Sequence, residues 1–205
     1  MPIIVTDFEQ NSPEWFAAKA GSVGASNIDK IITTDGKRSK QRNDFLYQLA
    51  GERLTRCCEE TYQSQAMLNG IEREAGARAL FEIVTGIEVQ QVGIIYKDES
   101  RLCHCSPDGL IGDNAGLEIK NPAMKTQVKY LVSGKLPIEY YSQIQMSLYV
   151  SERETWWFIS NYEGLPPLII ECQRDEEFIS KLDAELGAFN QELLEMVEKL
   201  QKVPA

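Results

Sequence analysis

Apolar residues fall along the chain in blocks whose spacing changes twice. Ser12-Pro13-Glu14 followed by WFAAKAG reads as a short helix, with a serine cap, proline in the first turn and Gly21 to stop it. Ser26-Asn27-Ile28-Asp29 before KII reads as a second capped start. Residues 43–60 place Phe45, Leu46, Leu49, Leu54 and Cys57 on one side of an amphipathic helix, and residues 67–85 predict another, closed by Gly86. The period then shortens to two. Residues 88–96, 101–106 and 116–121 predict three consecutive strands joined by short turns, with GLIGDNAG as a hairpin. A helix over about 137–150 begins at Pro137, and strands follow at 155–162 and 168–173. From Asp175 the helical period returns, because Phe178, Leu182, Leu186, Phe189, Leu193, Met196 and Leu200 step by threes and fours.

This order predicts one α/β domain over residues 1–205: a central mixed β-sheet flanked by helices, decorated by N-terminal helices (12–60) and a C-terminal helix (175–202). With 43% hydrophobic residues the chain can bury a full core. Nothing in MPIIVTDFEQ resembles a signal peptide and no apolar run approaches a membrane span, so a soluble intracellular protein with no membrane partner is expected. The five cysteines then read as reduced thiols. Cys103, His104 and Cys105 alternate across a strand, so the three cannot share one ion.

The net charge of −10 argues against a protein that coats nucleic acid non-specifically. Charge acts locally, however, and a divalent cation offsets clustered carboxylates. Residues 36–42, GKRSKQR, carry Lys37, Arg38, Lys40 and Arg42 without an acid, and residues 120–135 carry Lys120, Lys125, Lys129 and Lys135 likewise.

The stretch CSPDGLIGDNAGLEIKNP (105–122) carries the chemistry. Glu118 and Lys120, two apart on a strand, leave the same face while Ile119 turns inward. The hairpin folds Asp108 back beside Glu118. Two carboxylates and a backbone carbonyl make an oxygen-rich site that suits Mg²⁺ or Mn²⁺, and a lysine held there can orient a water or stabilise charge on a phosphoryl group. In the helix over 67–85, Glu74 and Arg78 lie on a partly apolar stripe with Met67, Ile71 and Phe81. In the helix over 137–150, periodicity alone does not choose whether Gln143 or Gln145 faces the strands.

Asp108-(x)9-Glu118-Ile119-Lys120 in this element order resembles the PD-(D/E)xK nuclease superfamily, with its restriction-endonuclease-like core. WFAAKAGSVGAS, GIEREAGARALFE, IIYKDESRLCHCSPDGL, GLEIKNP and YYSQIQMSLYV, in that order, are similar more specifically to the phage lambda exonuclease (YqaJ-like viral recombinase) family. The resemblance implies a Mg²⁺-dependent 5′→3′ exonuclease, with Mn²⁺ as substitute. Such an enzyme digests linear double-stranded DNA to 5′-mononucleotides and leaves a 3′ single strand for recombination by annealing. It further implies a two-metal site, a homotrimeric ring around DNA, a phage single-strand annealing protein as partner, and a phage or prophage product in bacterial cytoplasm. By position, Asp108, Glu118 and the Ile119 carbonyl are metal ligands, Lys120 activates the water, Glu74 completes the carboxylate set and Gln143 holds the nucleophile or metal shell. Asp98 aligns with a further acid. A 5′-phosphate pocket falls at Lys19, Ser26 and Ser106, where Lys19 replaces the family's arginine and loses its bidentate geometry. The basic residues 37, 38, 40, 42 and 125 become DNA contacts. A sequence-specific endonuclease of the same superfamily and a non-catalytic DNA-end adaptor are the alternatives.

Overall fold

The computed structural model describes residues 1–58 and 65–203, and within 65–72 the backbone only. In chain order the elements are β1 (Ile3–Val5), α1 (Pro13–Lys19), β2 (Val23–Gly24), a 3-10 helix (Ala25–Lys30), α2 (Arg42–Thr55), α3 (Gln65–Thr85), β3 (Ile94–Tyr96), β4 (Cys103–Cys105), β5 (Gly109–Ile111) and β6 (Ala115–Lys120). There follow α4 (Met124–Ser133), a 3-10 turn (Ile138–Tyr140), α5 (Tyr141–Ser151), β7 (Thr155–Ser160), β8 (Leu168–Gln173) and α6 (Glu176–Gln201). The mixed α/β class is as the pattern predicts, with the strands divided between two four-stranded sheets. One runs β1-β3-β4-β2 and the other β5-β6-β7-β8. Each sheet contains one parallel pair, β2 with β4 and β6 with β7. The β6-to-β7 connection contains α4 and α5, a long crossover of the kind parallel pairing requires.

The caps explain several boundaries. The Ser12 side chain accepts from the Trp15 N–H at the start of α1, with Pro13 in its first turn. The Asp175 side chain accepts from the Phe178 N–H at the start of α6. Other expectations shift. The start predicted at Ser26 is a six-residue 3-10 helix capped by Gly24, without a side-chain cap bond. The helix expected over 43–60 ends at Thr55, where Arg56 turns left-handed (φ 58°), so Leu54 and Cys57 are exposed; residues 59 and 60 lie outside the description. Of the strand expected over 88–96 only Ile94–Tyr96 forms, and residues 88–93 run beside β5 through a bridge between Gln90 and Leu110. The helix expected from Pro137 opens as a 3-10 turn before α5.

Two apolar clusters carry the packing. The larger gathers α2, α5, α6 and the first sheet together with Trp156 and Phe158 of β7; Phe45 and Phe189 stack at 5.9 Å between α2 and α6. The smaller joins α3 to the second sheet through Ala77, Phe81, Leu117, Ile119 and Ile159. Among the described residues no cysteine forms a disulfide. Among the described residues no helix is long and apolar enough to cross a membrane.

His104 lies in the interior, its Nδ1 2.9 Å from the Ser22 hydroxyl and its ring edge-on to Tyr96. Its neighbours on the strand turn the other way, Cys103 toward Asn190 of α6 and Cys105 toward α5. Burial, helped by the charge of Lys19, pushes the imidazole down to about 3. A histidine whose folded value lies below its unfolded value of roughly 6.5 contributes stability that is intact above that value and is lost as pH falls toward the folded one. The protein should therefore lose on the order of 2 kcal/mol between pH 7 and pH 4.5 through this group. Thermal unfolding of wild type and His104→Asn over that range checks it, the variant showing the shallower decline.

Candidate active site

The β5–β6 hairpin builds the centre. Its register sets Gly109 opposite Leu117, and the Asp108 N–H donates to the Leu117 carbonyl (3.1 Å). The Asp108 carboxylate is thereby turned onto β6, where Oδ2 accepts from the Ile119 N–H at 2.5 Å. Alternation along β6 sends Leu117 and Ile119 into the smaller cluster and Glu118 and Lys120 to the opposite face. There Lys120 Nζ meets Glu118 Oε1 at 2.5 Å, and Gln143 Nε2 of α5 donates to the same oxygen at 2.6 Å. The choice between the two glutamines is thus made by packing. Gln145 is buried elsewhere, donating to the Gln173 carbonyl and accepting from the Asp175 N–H, so it ties β8 to α6.

α3 brings Glu74 to the same place. Its carboxylate pairs with Arg78 one turn on (2.5 Å), and Arg78 Nε donates to the Asp108 carbonyl at 3.1 Å. Three carboxylates so assembled repel one another. Burial, then the charge of Glu118, raises Asp108 well above the usual carboxylate range, and burial raises Glu74 against the opposing pull of Arg78. Burial works against the charge of Lys120 too, but Glu118 and Asp108 outweigh it and hold the amine above its ordinary value. In this arrangement Lys120 is held as an ammonium beside Glu118, able to stabilise an anionic oxygen.

The donor chemistry fits a hard dication. All three acids are oxygen donors, they outnumber the lysine and arginine beside them, and burial, with the neighbouring Glu118 adding to it, raises Asp108 and Glu74. Among the described residues no three acidic, histidine or cysteine side chains stand ready as a cage; each carboxylate is turned to an internal N–H or cation. A cation here would draw Glu118 and Glu74 from those partners.

Beside this centre, Trp15 links two members of the expected phosphate pocket. Its indole N–H donates to the Gly93 carbonyl (3.2 Å) and the Ser106 hydroxyl (3.1 Å), and Lys19 Nζ lies 3.6 Å from a ring centroid of the same indole. Burial lowers the Lys19 amine, with Cys58 and Glu52 opposing. Ser26 is exposed on its 3-10 helix. Asp98 is remote in role: it accepts from the Ser100 N–H and hydroxyl in the β3–β4 turn.

Within the basic segment 36–42, Arg42 is placed differently from a free nucleic-acid contact. Arg42 is buried, makes a two-pronged bond to Glu192 of α6 (2.7 and 2.9 Å) and lies over the Phe189 ring. Arg38 pairs with Glu185 and Lys37 with Asp35, while Lys40 and Lys125 are exposed. Arg42→Ala should therefore cost about 2 kcal/mol, less than a fully buried pair because Glu192 is 43% exposed. Denaturant titration measures the loss; affinity for DNA, measured on folded protein, should stay within about twofold, since no phosphate contact is removed. The residues that periodicity did not single out as interior anchors, Arg42 and Trp15, depend on partners far along the chain.

Comparison with known proteins gives a consistent picture. Residues 14–154 match the model of the YqaJ-like viral recombinase domain. The fold is similar to an alkaline exonuclease (LHK-Exo) from Laribacter hongkongensis, with 32% identity, TM-score 0.84, and 93% of this chain and 97% of that chain covered. The same enzyme in complex with dAMP matches with 32% identity over the same shares at TM-score 0.83. A phage related exonuclease from Haemophilus somnus 129PT shares the fold at 15% identity and TM-score 0.63, with 87% of this chain and 96% of that chain covered. No curated protein matches significantly.

Proposed function

The chain belongs to the YqaJ-like viral recombinase domain family, and from that premise we propose that it is a DNA exonuclease. It digests linear duplex in the 5′→3′ direction, releases 5′-mononucleotides and leaves a 3′ single strand for annealing. The observation that carries the reading is the convergence of Asp108, Glu118 and Lys120 on one hairpin face with Gln143 and Glu74 packed against it. The relative's complex with dAMP supports a mononucleotide product.

Lys120 Nζ, an ammonium at the mouth of the cluster, stabilises charge developing on the scissile phosphoryl oxygens. Gln143 fixes Glu118 by its amide and offers a polar group to orient the attacking water. Asp108, Glu118, the Ile119 carbonyl and Glu74 would hold Mg²⁺, or Mn²⁺ in its place, in a two-metal arrangement that neutralises the phosphate and makes water a better nucleophile. Lys19, Ser106 and Ser26 receive the 5′-phosphate, with Trp15 as the floor between Lys19 and Ser106. Lys40 and Lys125 reach the backbone of the incoming duplex. The functional form is a homotrimeric ring, phage or prophage encoded, working in bacterial cytoplasm beside a single-strand annealing protein.

Purified protein with Mg²⁺ should shorten a linear duplex from its 5′ ends and leave a covalently closed circle intact, and light scattering should give three times the 23.2 kDa chain mass. Discrete fragments from the circle would instead identify an endonuclease. Duplex binding without any cleavage would identify an adaptor, and a monomer would remove the ring.

A further inference from the structure

A cleft of about 450 Å³ opens beside the carboxylate cluster, lined by Phe8, Gln10, Glu74, Arg78, Gln91 and Asp108 among others. Arg78 is the cation in its wall, and its side chain is only 11% exposed. Every edge of the guanidinium faces a partner. Nη2 meets Glu74 at 2.5 Å and Nε donates to the Asp108 carbonyl at 3.1 Å; the Gln91 amide lies against the same fork, and with its oxygen assigned to face the guanidinium, as the donors there require, it accepts from Nη1 and Nη2 at 3.1 and 3.2 Å. These partners come from three separate pieces of chain: helix α3, the entry to the β5–β6 hairpin, and the segment before β3.

A surface i,i+4 pair would need none of this. Such pairs are solvated and contribute little. Here the planar fork is used in full, a geometry that a lysine does not reproduce. Two of the three partners belong to residues assigned to the cation-holding set, one through its carboxylate and the other through its main chain. The neighbouring Gln10, whose side chain donates to the Val92 and Pro107 carbonyls, holds the same wall from the other side.

We propose that Arg78 is a positioning residue of this site: its guanidinium sets the Glu74 carboxylate and the Asp108 main chain in fixed relation, so that the acids meet a cation in register. The inference rests on the exonuclease reading given above, and it assigns to Arg78 no contact with DNA.

The test uses the full chain with Arg78→Gln and Arg78→Lys. Steady-state digestion of linear duplex at saturating Mg²⁺ should show kcat lowered roughly 10- to 100-fold in Arg78→Gln, the range found when the partner of a metal ligand is removed. KM for duplex ends should hold within about threefold, since the residue does not touch the strand. Mn²⁺ alone, titrated without DNA and followed by electron paramagnetic resonance, should bind roughly tenfold more weakly. Arg78→Lys should recover part of both losses, because an ammonium reaches Glu74 but not all three partners. Unchanged kcat and Mn²⁺ affinity in Arg78→Gln overturn the proposal. So does a rise confined to KM, which would make Arg78 a DNA contact, or a loss that follows the fraction unfolded in a parallel melting curve. If the wild type leaves duplex intact, the exonuclease reading fails, and the Mn²⁺ titration still decides the role of Arg78.

Discussion

Lys120→Ala is expected to slow duplex digestion by roughly 10²- to 10³-fold, the usual effect of removing one preorganised group that meets charge in the transition state. Glu118→Gln should be at least as damaging, because that carboxylate receives both Lys120 and Gln143 and is itself a proposed ligand. The two variants should part company in stability. Glu118 is 3% exposed, so removing its lysine leaves a buried anion with one neutral donor, whereas Glu118→Gln relieves the repulsion among the acids. Lys120→Ala should therefore melt below Glu118→Gln, both measured without divalent cation. Release of acid-soluble nucleotide from linear duplex reads the activity. More than a tenth of the wild-type rate in either variant would contradict the assigned centre.

The hairpin was legible because its signal is local: alternation fixes which side chains share a face, and GLIGDNAG closes the turn within the same dozen residues. α4 was not, and its reason is physical. Its pattern is inverted, with Met124, Val128 and Val132 exposed while Gln127 is fully buried, donating to the Ser160 and Pro166 carbonyls and accepting from the Ser160 hydroxyl. A helix that turns its amide inward defeats a reading by hydrophobic period. β1 and β2, of three and two residues, are too short to show a period. The interior place of Arg42 depends on Glu192, 150 residues away, which no local pattern encodes. Gln143 and Gln145 differ in their surroundings only once α5 lies across the second sheet. The residue types of the centre were thus readable, and their partners came from long-range packing.

That dependence makes Phe81 the position where stability and site meet. It is fully buried, lies edge-on to Trp157 at 5.7 Å, and joins Ala77 to Leu117, Ile119 and Ile159. Through this cluster α3, which carries Glu74 and Arg78, is registered against β6, which carries Glu118 and Lys120. Phe81→Ala should destabilise by about 3–5 kcal/mol, the transfer loss plus the cavity left behind. For a chain of 205 residues that is a fall in melting temperature of roughly 10 °C. Phe81→Leu keeps most of the volume and should cost less than about 1.5 kcal/mol. Activity assayed well below both melting points separates two consequences. If the cluster only adds stability, folded Phe81→Ala digests duplex at the wild-type rate. If it also sets the helix against the strand, the folded variant is slower by about tenfold or more, because small displacements of reacting groups are costly. The second result is expected, since among the described residues the hydrogen bond from α3 to the hairpin entry is made by Arg78, and that single fork cannot hold Glu74 in place without the apolar seam beneath it.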